Sequence, residues 1–305
     1  MRYFKSTGFF CLLYIGIFWC LSLGVSILVS NPQVVNAIVY LGIALCSILF
    51  TWISGRDICH TFRLHRIHIG SVFLVIVMSL TIRPVAGLFS QIGVIFFHDI
   101  TTSSISRLIS AGLLPCMITM ALLPGIVEEM IFRGIVYSGM RKANPIKGIL
   151  LSALFFGLAH MNFQQFCYAF FLGIVFGLVV EATDSIFSTM LMHMCFNGFS
   201  VGISYLIYRS NTLSALLDSS IETQNATWNS VIALIPSALF GAILSFFLLI
   251  TIARLNGRLG YMKTWLSKDI RETWPKGKAA SISYYAALGI CIFIALTVEL
   301  AGRLA

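Results

Sequence analysis

The sequence predicts an all-α, polytopic transmembrane helical bundle of eight or nine spans with no soluble domain, and three observations lead there. Of the 305 residues, 58% are hydrophobic and only 10% charged, whereas a soluble domain carries about 25% charged residues. Mean hydropathy is +0.94. The apolar residues gather into windows of roughly 20, the length that crosses a bilayer as a helix. No polar stretch between them exceeds about thirty residues, short of the roughly 50 of a small domain.

Taken in order, the first window, 8–29, follows Arg2 and Lys5. It is longer than the roughly 7–15 residues of a signal-peptide apolar core, so it reads as a retained first helix. Window 34–53 comes next. Window 69–97 is interrupted by Arg83-Pro84, where proline removes a backbone donor and biases the preceding residue away from helix; Arg83 there snorkels, marks a broken helix or binds a substrate carboxylate. Window 113–140 holds Glu128, Glu129 and Arg133 inside an apolar run. Windows 146–160 and 166–180 are short, and make either a full hairpin or a shallow re-entrant pair. Gly173 and Gly177 form a small-residue face suited to close helix packing. Windows 185–208, 230–253 and 282–300 follow, and Glu299 lies four residues before Arg303, a pairing distance on a helix. The chain thus divides into N-terminal helices (1–112), a core that holds the intramembrane charges (113–208) and C-terminal helices (209–305) with a basic loop at 254–280.

The net charge of +9 could suggest nucleic acid, but its placement excludes it. With the N-terminus cytoplasmic, fifteen Lys and Arg fall in inner segments and three, Arg107, Arg209 and Arg303, in outer ones, as the positive-inside rule requires. The basic loop, with Lys276, Lys278, Trp265 and Trp274, reads as a topology signal with interfacial aromatics or as a surface helix on anionic lipid. The segment 209–229 is a connector that contains Asn225-Ala226-Thr227, a chance-prone glycosylation sequon. The eight cysteines show no metal or redox spacing and read as small buried hydrophobes.

A charge near the middle of a spanning helix costs roughly 2.5–3.5 kcal/mol on insertion scales, so Glu128, Glu129 and Arg133 require a reason. Residues four apart share a helix face, which pairs Glu129 with Arg133; Glu128 points roughly 100° away and is left for a cavity. Pro124-Gly125, one turn earlier, permits a kink. Two more polar places lie in apolar helices, His160 after Phe156 and His193 with Asn197. At a rise of about 1.5 Å per residue, Glu128, His160, His193 and Asn197 lie about 18, 21, 12 and 18 Å from the cytoplasmic side. One carboxylate, two histidines and an amide at similar depth fit a site that activates water and stabilises an oxyanion. They equally fit a Glu/His/His metal site of the zinc-hydrolase kind.

These residues carry a resemblance. Glu128-Glu129 with Arg133, Phe156 with His160, and His193 with Asn197 reproduce, complete and in order, the E-E-x-x-x-R, F-x-x-x-H and H-x-x-x-N/D motifs of the CPBP family of intramembrane proteases. That family includes type II CAAX prenyl endopeptidases and bacterial bacteriocin-processing and immunity proteins, and the resemblance covers about 113–200. It implies Glu128 as general base with His160 beside it, His193 and Asn197 as oxyanion hole, and Glu129 and Arg133 as supports. It leaves two mechanisms: a divalent metal such as zinc on Glu128, His160 and His193, or no metal at all. The expected substrate is a hydrophobic or lipid-anchored peptide, prenylated or a bacteriocin or pheromone precursor, cleaved at a site that opens to the cytoplasmic half of a bacterial plasma membrane. Membrane lipids are the other partner. The rival readings are a non-catalytic immunity or scaffold protein of the same fold and a proton-coupled transporter, for which buried Glu and His are also typical.

Overall fold

A computed structural model of the chain describes residues 2–99, 108–142, 144–210, 227–275 and 280–304. Every regular element among them is helical: α1 (Arg2–Leu28), α2 (Pro32–Ile53), α3 (Ile58–Phe62), α4 (Ile69–Thr81), α5 (Arg83–Phe96), α6 (Leu113–Met140), α7 (Pro145–Leu158), α8 (Phe163–Thr183), α9 (Ile186–Arg209), α10 (Trp228–Leu255), α11 (Leu259–Thr264), α12 (Lys268–Thr273) and α13 (Ile282–Leu304). Eight spans, with α4 and α5 counted as one, are long and apolar enough to cross a membrane, and α7 is a shorter apolar helix beside them. The expectation of eight or nine spans is met by eight full spans and one short one. Arg107, Lys276, Lys278 and the Asn225-Ala226 part of the sequon lie outside the described residues.

Helix starts in an apolar medium must satisfy their first N–H groups locally, and asparagine does this three times. Asn31 accepts from the N–H groups of Gln33 and Val34, Asn144 from Lys147, and Asn162 from Gln164 and Gln165. Pro32 and Pro145 follow two of these caps, where a missing N–H costs nothing. The interruption at Arg83-Pro84 is a real break between α4 and α5. Arg83, at the break, donates to the Phe196 carbonyl at 2.8 Å and to Ser200 Oγ at 3.0 Å on α9.

The hairpin α7–α8 corrects the windows 146–160 and 166–180. Helix α8 has 21 residues and α7 only 14, so a full span lies beside a short one. Hydropathy cut α8 too early because it penalised Glu181, yet that carboxylate is wholly buried and neutralised by Arg63 at 2.6 Å, Arg141 at 2.7 Å and Arg258 at 3.1 Å. Burial opposes the charge on Arg141, and Glu181 outweighs it, raising the arginine pKa above its ordinary value. The two helices touch through Gly173 on Ala153 and Gly177 on Ile149, as the small-residue face predicts. A Cβ at Gly173 would come within 2.8 Å of the Ala153 backbone. Gly173→Ala is therefore expected to destabilise the protein, because overpacking costs about 1–3 kcal/mol and outweighs the roughly 0.5–1 kcal/mol that alanine gains in a helix. Thermal unfolding in detergent checks this, and an unchanged or raised midpoint would contradict it.

The buried apolar residues form two large clusters. One gathers α1, α2, α6, α7 and α13 around Tyr14, Phe132, Phe155 and Tyr284; the other gathers α4, α5, α8 and α10 around Val75, Phe176 and Ile252. Helix α9 contributes to both, Met190 to the first and Met192 to the second. At the end of the bundle where Glu181 collects its arginines, Trp265 packs with Tyr137, Ile149 and Val180 and is 6% exposed. It is a packing residue, not the interfacial aromatic that the sequence suggested, because Arg258 and Tyr261 tie this loop to Glu181 and Arg141. All eight cysteines are free, but only Cys11, Cys116 and Cys291 are buried, while Cys20 and Cys59 are exposed, against the reading of all eight as buried hydrophobes; Glu299 pairs with Arg303 at 2.7 Å, as expected.

Candidate active site

Helix α6 is not uniform. Its α-helical turns Leu123–Glu129 lie between two π-helical stretches, Met117–Leu122 and Met130–Tyr137, and such widened turns occur often at functional sites. Pro124 has no N–H to give to the Met120 carbonyl four residues back, and that carbonyl instead accepts Nδ2 of Asn197 at 3.1 Å. Gly125 lets α9 come close, since a Cβ there would run into the Met194 side chain and meet its backbone nitrogen at 3.0 Å. The Pro-Gly pair thus both frees a carbonyl and brings the His193 helix against the glutamates.

Glu129 and Arg133 are almost wholly buried, 0% and 1% exposed. Arg133 donates to Glu129 Oε1 at 3.0 Å and to the Gly173 carbonyl at 3.3 Å. Its guanidinium lies between the rings of Phe156, at 4.4 Å, and Phe176, at 4.9 Å. The same Glu129 oxygen meets Nδ1 of His193 at 2.9 Å. A carboxylate paired with an arginine only accepts, so Nδ1 carries the hydrogen, and the ring turns Nε2 toward Glu128. Nε2 stands 4.0 Å from Glu128 Oε2, beyond a hydrogen bond.

Glu128 faces away from this network, into a cavity of about 460 Å³ that His160 also lines. Its Oε1 accepts from the Tyr40 hydroxyl at 2.8 Å. His160 sits in the turn between α7 and α8, with Nδ1 at 2.8 Å from the Phe156 carbonyl and its ring edge-on to Phe156 at 5.1 Å. A carbonyl accepts, so here too Nδ1 is the donor and Nε2 is the nitrogen left for water or substrate. The turn is tight: Met161 has φ of +53°, a left-handed conformation uncommon for a side-chain-bearing residue, and Asn162 caps α8 immediately after it.

The seven residues that the sequence singled out therefore fall into three sets. Glu128 and His160 share a cavity. Glu129, Arg133, Phe156 and His193 form the packed network behind Glu128. Asn197 is held one turn further along α9, on Met120, whose side chain lines the same cavity. Beyond Glu128 the lining continues through Phe18, Trp19, Leu108 and Val298. By helix rise these lie toward the end of the bundle opposite Glu181.

Tyr40, on α2, is the residue that sequence reading missed. A tyrosine in an apolar window looks like any interfacial aromatic, and only the fold brings it to a carboxylate. Tyr40→Phe removes one donor to Glu128 and nothing else, so turnover is expected to fall by about tenfold, a hydrogen bond to a charged group being worth about 1.5–3 kcal/mol. Unchanged turnover in this variant would remove Tyr40 from the site.

Glu128, His160 and His193 offer donor types that suit zinc, each histidine with Nδ1 anchored and Nε2 left over, as metal-bound histidines are. Their arrangement does not: among the described residues, no group of three or more His, Cys, Asp or Glu stands close enough to hold a metal ion. Residues 110–199 match the family described as type II CAAX prenyl endopeptidase Rce1-like. No curated protein and no solved structure matches the chain. The matched segment, under a third of the chain, contains all seven residues above and is similar to that family; with eight helices of spanning length the chain is an integral, multi-pass membrane protein.

Proposed function

We propose that this protein is an intramembrane endopeptidase that hydrolyses a peptide bond in a hydrophobic or lipid-anchored peptide, by water activated between Glu128 and His160. One observation carries the reading. The intramembrane carboxylate that has no arginine of its own faces a cavity of about 460 Å³ and shares it with His160, while Tyr40 fixes one of its oxygens. The adjacent carboxylate, Glu129, already has Arg133 and His193, so the division of labour between neighbouring glutamates is built into the helix.

In this reading Glu128 Oε2 takes a proton from a water in the cavity, and the hydroxide attacks the scissile carbonyl. His160 Nε2 orients that water. The tetrahedral oxyanion is assigned to His193 Nε2 and the second Nδ2 hydrogen of Asn197, groups that stand behind Glu128 rather than on the cavity wall. Glu128 then returns the proton to the departing amine, which leaves a new carboxylate and a new amino terminus. Tyr14, Phe18, Trp19, Ile294 and Val298 line the same cavity and suit an apolar peptide or lipid tail, such as a prenylated CAAX-type protein or a bacteriocin or pheromone precursor. The distribution of its cations supports a cytoplasmic N-terminus, and the motif resemblance supports a bacterial plasma membrane as its place.

The test is cleavage of a hydrophobic peptide library by purified protein in lipid or detergent, read by mass spectrometry, for wild type and Glu128→Ala. New peptide termini are expected with wild type alone. Folded wild-type protein that cleaves nothing across the library would sink the proposal and favour an immunity or scaffold role. A chelator arm decides whether a divalent metal takes part.

A further inference from the structure

A second cavity, about 130 Å³, lies at the end of the bundle where Glu181 sits, and its lining is strongly cationic: Arg56, Arg63, Arg141, Lys142 and Arg258, with His60 and His65. Two carboxylates oppose these five cations. Glu181, beneath the cavity, is shared by Arg63, Arg141 and Arg258 and also accepts from the Tyr137 hydroxyl at 2.7 Å. Asp184, on the lining, stands 3.6 Å from Arg63 and 4.0 Å from Arg258. Among the described residues the lining cations therefore outnumber these two carboxylates, Arg56 also donating to the Ser6 and Thr7 hydroxyls, around a space far larger than the roughly 10–15 Å³ that one water requires.

We propose that this cavity binds a phosphate group, presented by an anionic phospholipid at the membrane surface. Arginine forks match phosphate oxygens and lysine adds point charge. The cluster stands at one end of the membrane-spanning helices, the level at which lipid headgroups lie. Beside it, the end of α2 presents Trp52 and Ile53, 69% and 76% exposed, an apolar surface for the acyl chains of the same molecule. The site is separate from the proposed catalytic cavity: Arg141 and Glu128 are thirteen residues apart on one helix path, about 20 Å.

The experiment titrates the full chain in neutral detergent with phosphatidylglycerol, phosphatidylcholine or inorganic phosphate, and reads bound lipid by native mass spectrometry and the thermal midpoint by fluorescence. Phosphatidylglycerol is expected to bind and to raise the midpoint, phosphatidylcholine to do so much less, and inorganic phosphate to displace the lipid. Lys142→Gln, an exposed position, is expected to weaken binding about fivefold. Asp184→Asn, which tolerates the left-handed backbone of that residue (φ +52°) as aspartate does, is expected to strengthen it. Binding of phosphate without phosphatidylglycerol, sensitive to both variants, would keep the phosphate site and overturn the lipid as its source. Lipid binding that neither variant alters, or no binding of either probe, would overturn the proposal.

Discussion

Glu128→Gln is expected to abolish hydrolysis while leaving the fold intact, and Glu129→Gln to do the reverse first. Glutamine at 128 keeps the shape and still accepts the Tyr40 hydrogen bond, but it cannot take a proton from water. The loss is that of a general base, about 10²–10⁴-fold in turnover. Glu128 lines a cavity, so its neutral replacement leaves no charge uncompensated. At 129 the same change strands Arg133, 1% exposed, against two aromatic rings and one carbonyl. Removing one partner of a buried ion pair costs about 3–5 kcal/mol. It also leaves His193 Nδ1 facing an amide that has no preference for which ring nitrogen is protonated. Parallel measurement of turnover and unfolding separates the two. Equal effects of both substitutions on stability, with activity retained at 128, would remove Glu128 from its proposed role.

The second large effect is expected at Glu181→Gln. Three arginines and a tyrosine converge on this wholly buried carboxylate, and without its charge the three guanidinium groups face one another. Arg141 and Arg258 keep 27% and 23% of their side-chain surface exposed and can turn toward water, whereas Arg63, at 5%, cannot. The cost is therefore set mainly by Arg63, about 3 kcal/mol as for a broken buried pair. Adding Arg63→Gln is expected to cost less than its effect in the wild type, as contacting residues couple non-additively. Strictly additive unfolding energies would show that the cluster is not one network.

The fold class and most spans were legible because the two signals that carry them, apolar length and cation placement, are local. So were the polar residues of the candidate site: charges and histidines inside spans stand out against their apolar neighbours, and i to i+4 spacing predicted the Glu129–Arg133 pair. What was not legible depends on partners distant in sequence. Hydropathy cut α8 short at Val180, since nothing near Glu181 in the sequence announces Arg63 and Arg258. Trp265 looked interfacial until the fold placed Tyr137 and Val180 against it. Tyr40 carries no charge, and its role exists only through Glu128, 88 positions away. The π-helical turns of α6 likewise have no signature beyond Pro124-Gly125.

The buried network of Glu129, Arg133 and His193 sits at the seam between the two apolar clusters, with Phe156 of one and Phe176 of the other on either face of Arg133. Inside a bilayer, lipid tails solvate leucine as well as another leucine does, so apolar halves can slip along each other at little cost. Directional bonds cannot. The network thus works as a dowel between two greased halves: it sets how far one stands above the other, and with that where His193 of α9 stands against Glu128. Vertical alignment of the bundle and the spacing of the reacting groups are then one adjustable quantity, and variants that loosen the dowel alter chemistry by misalignment even where every reacting group is still present.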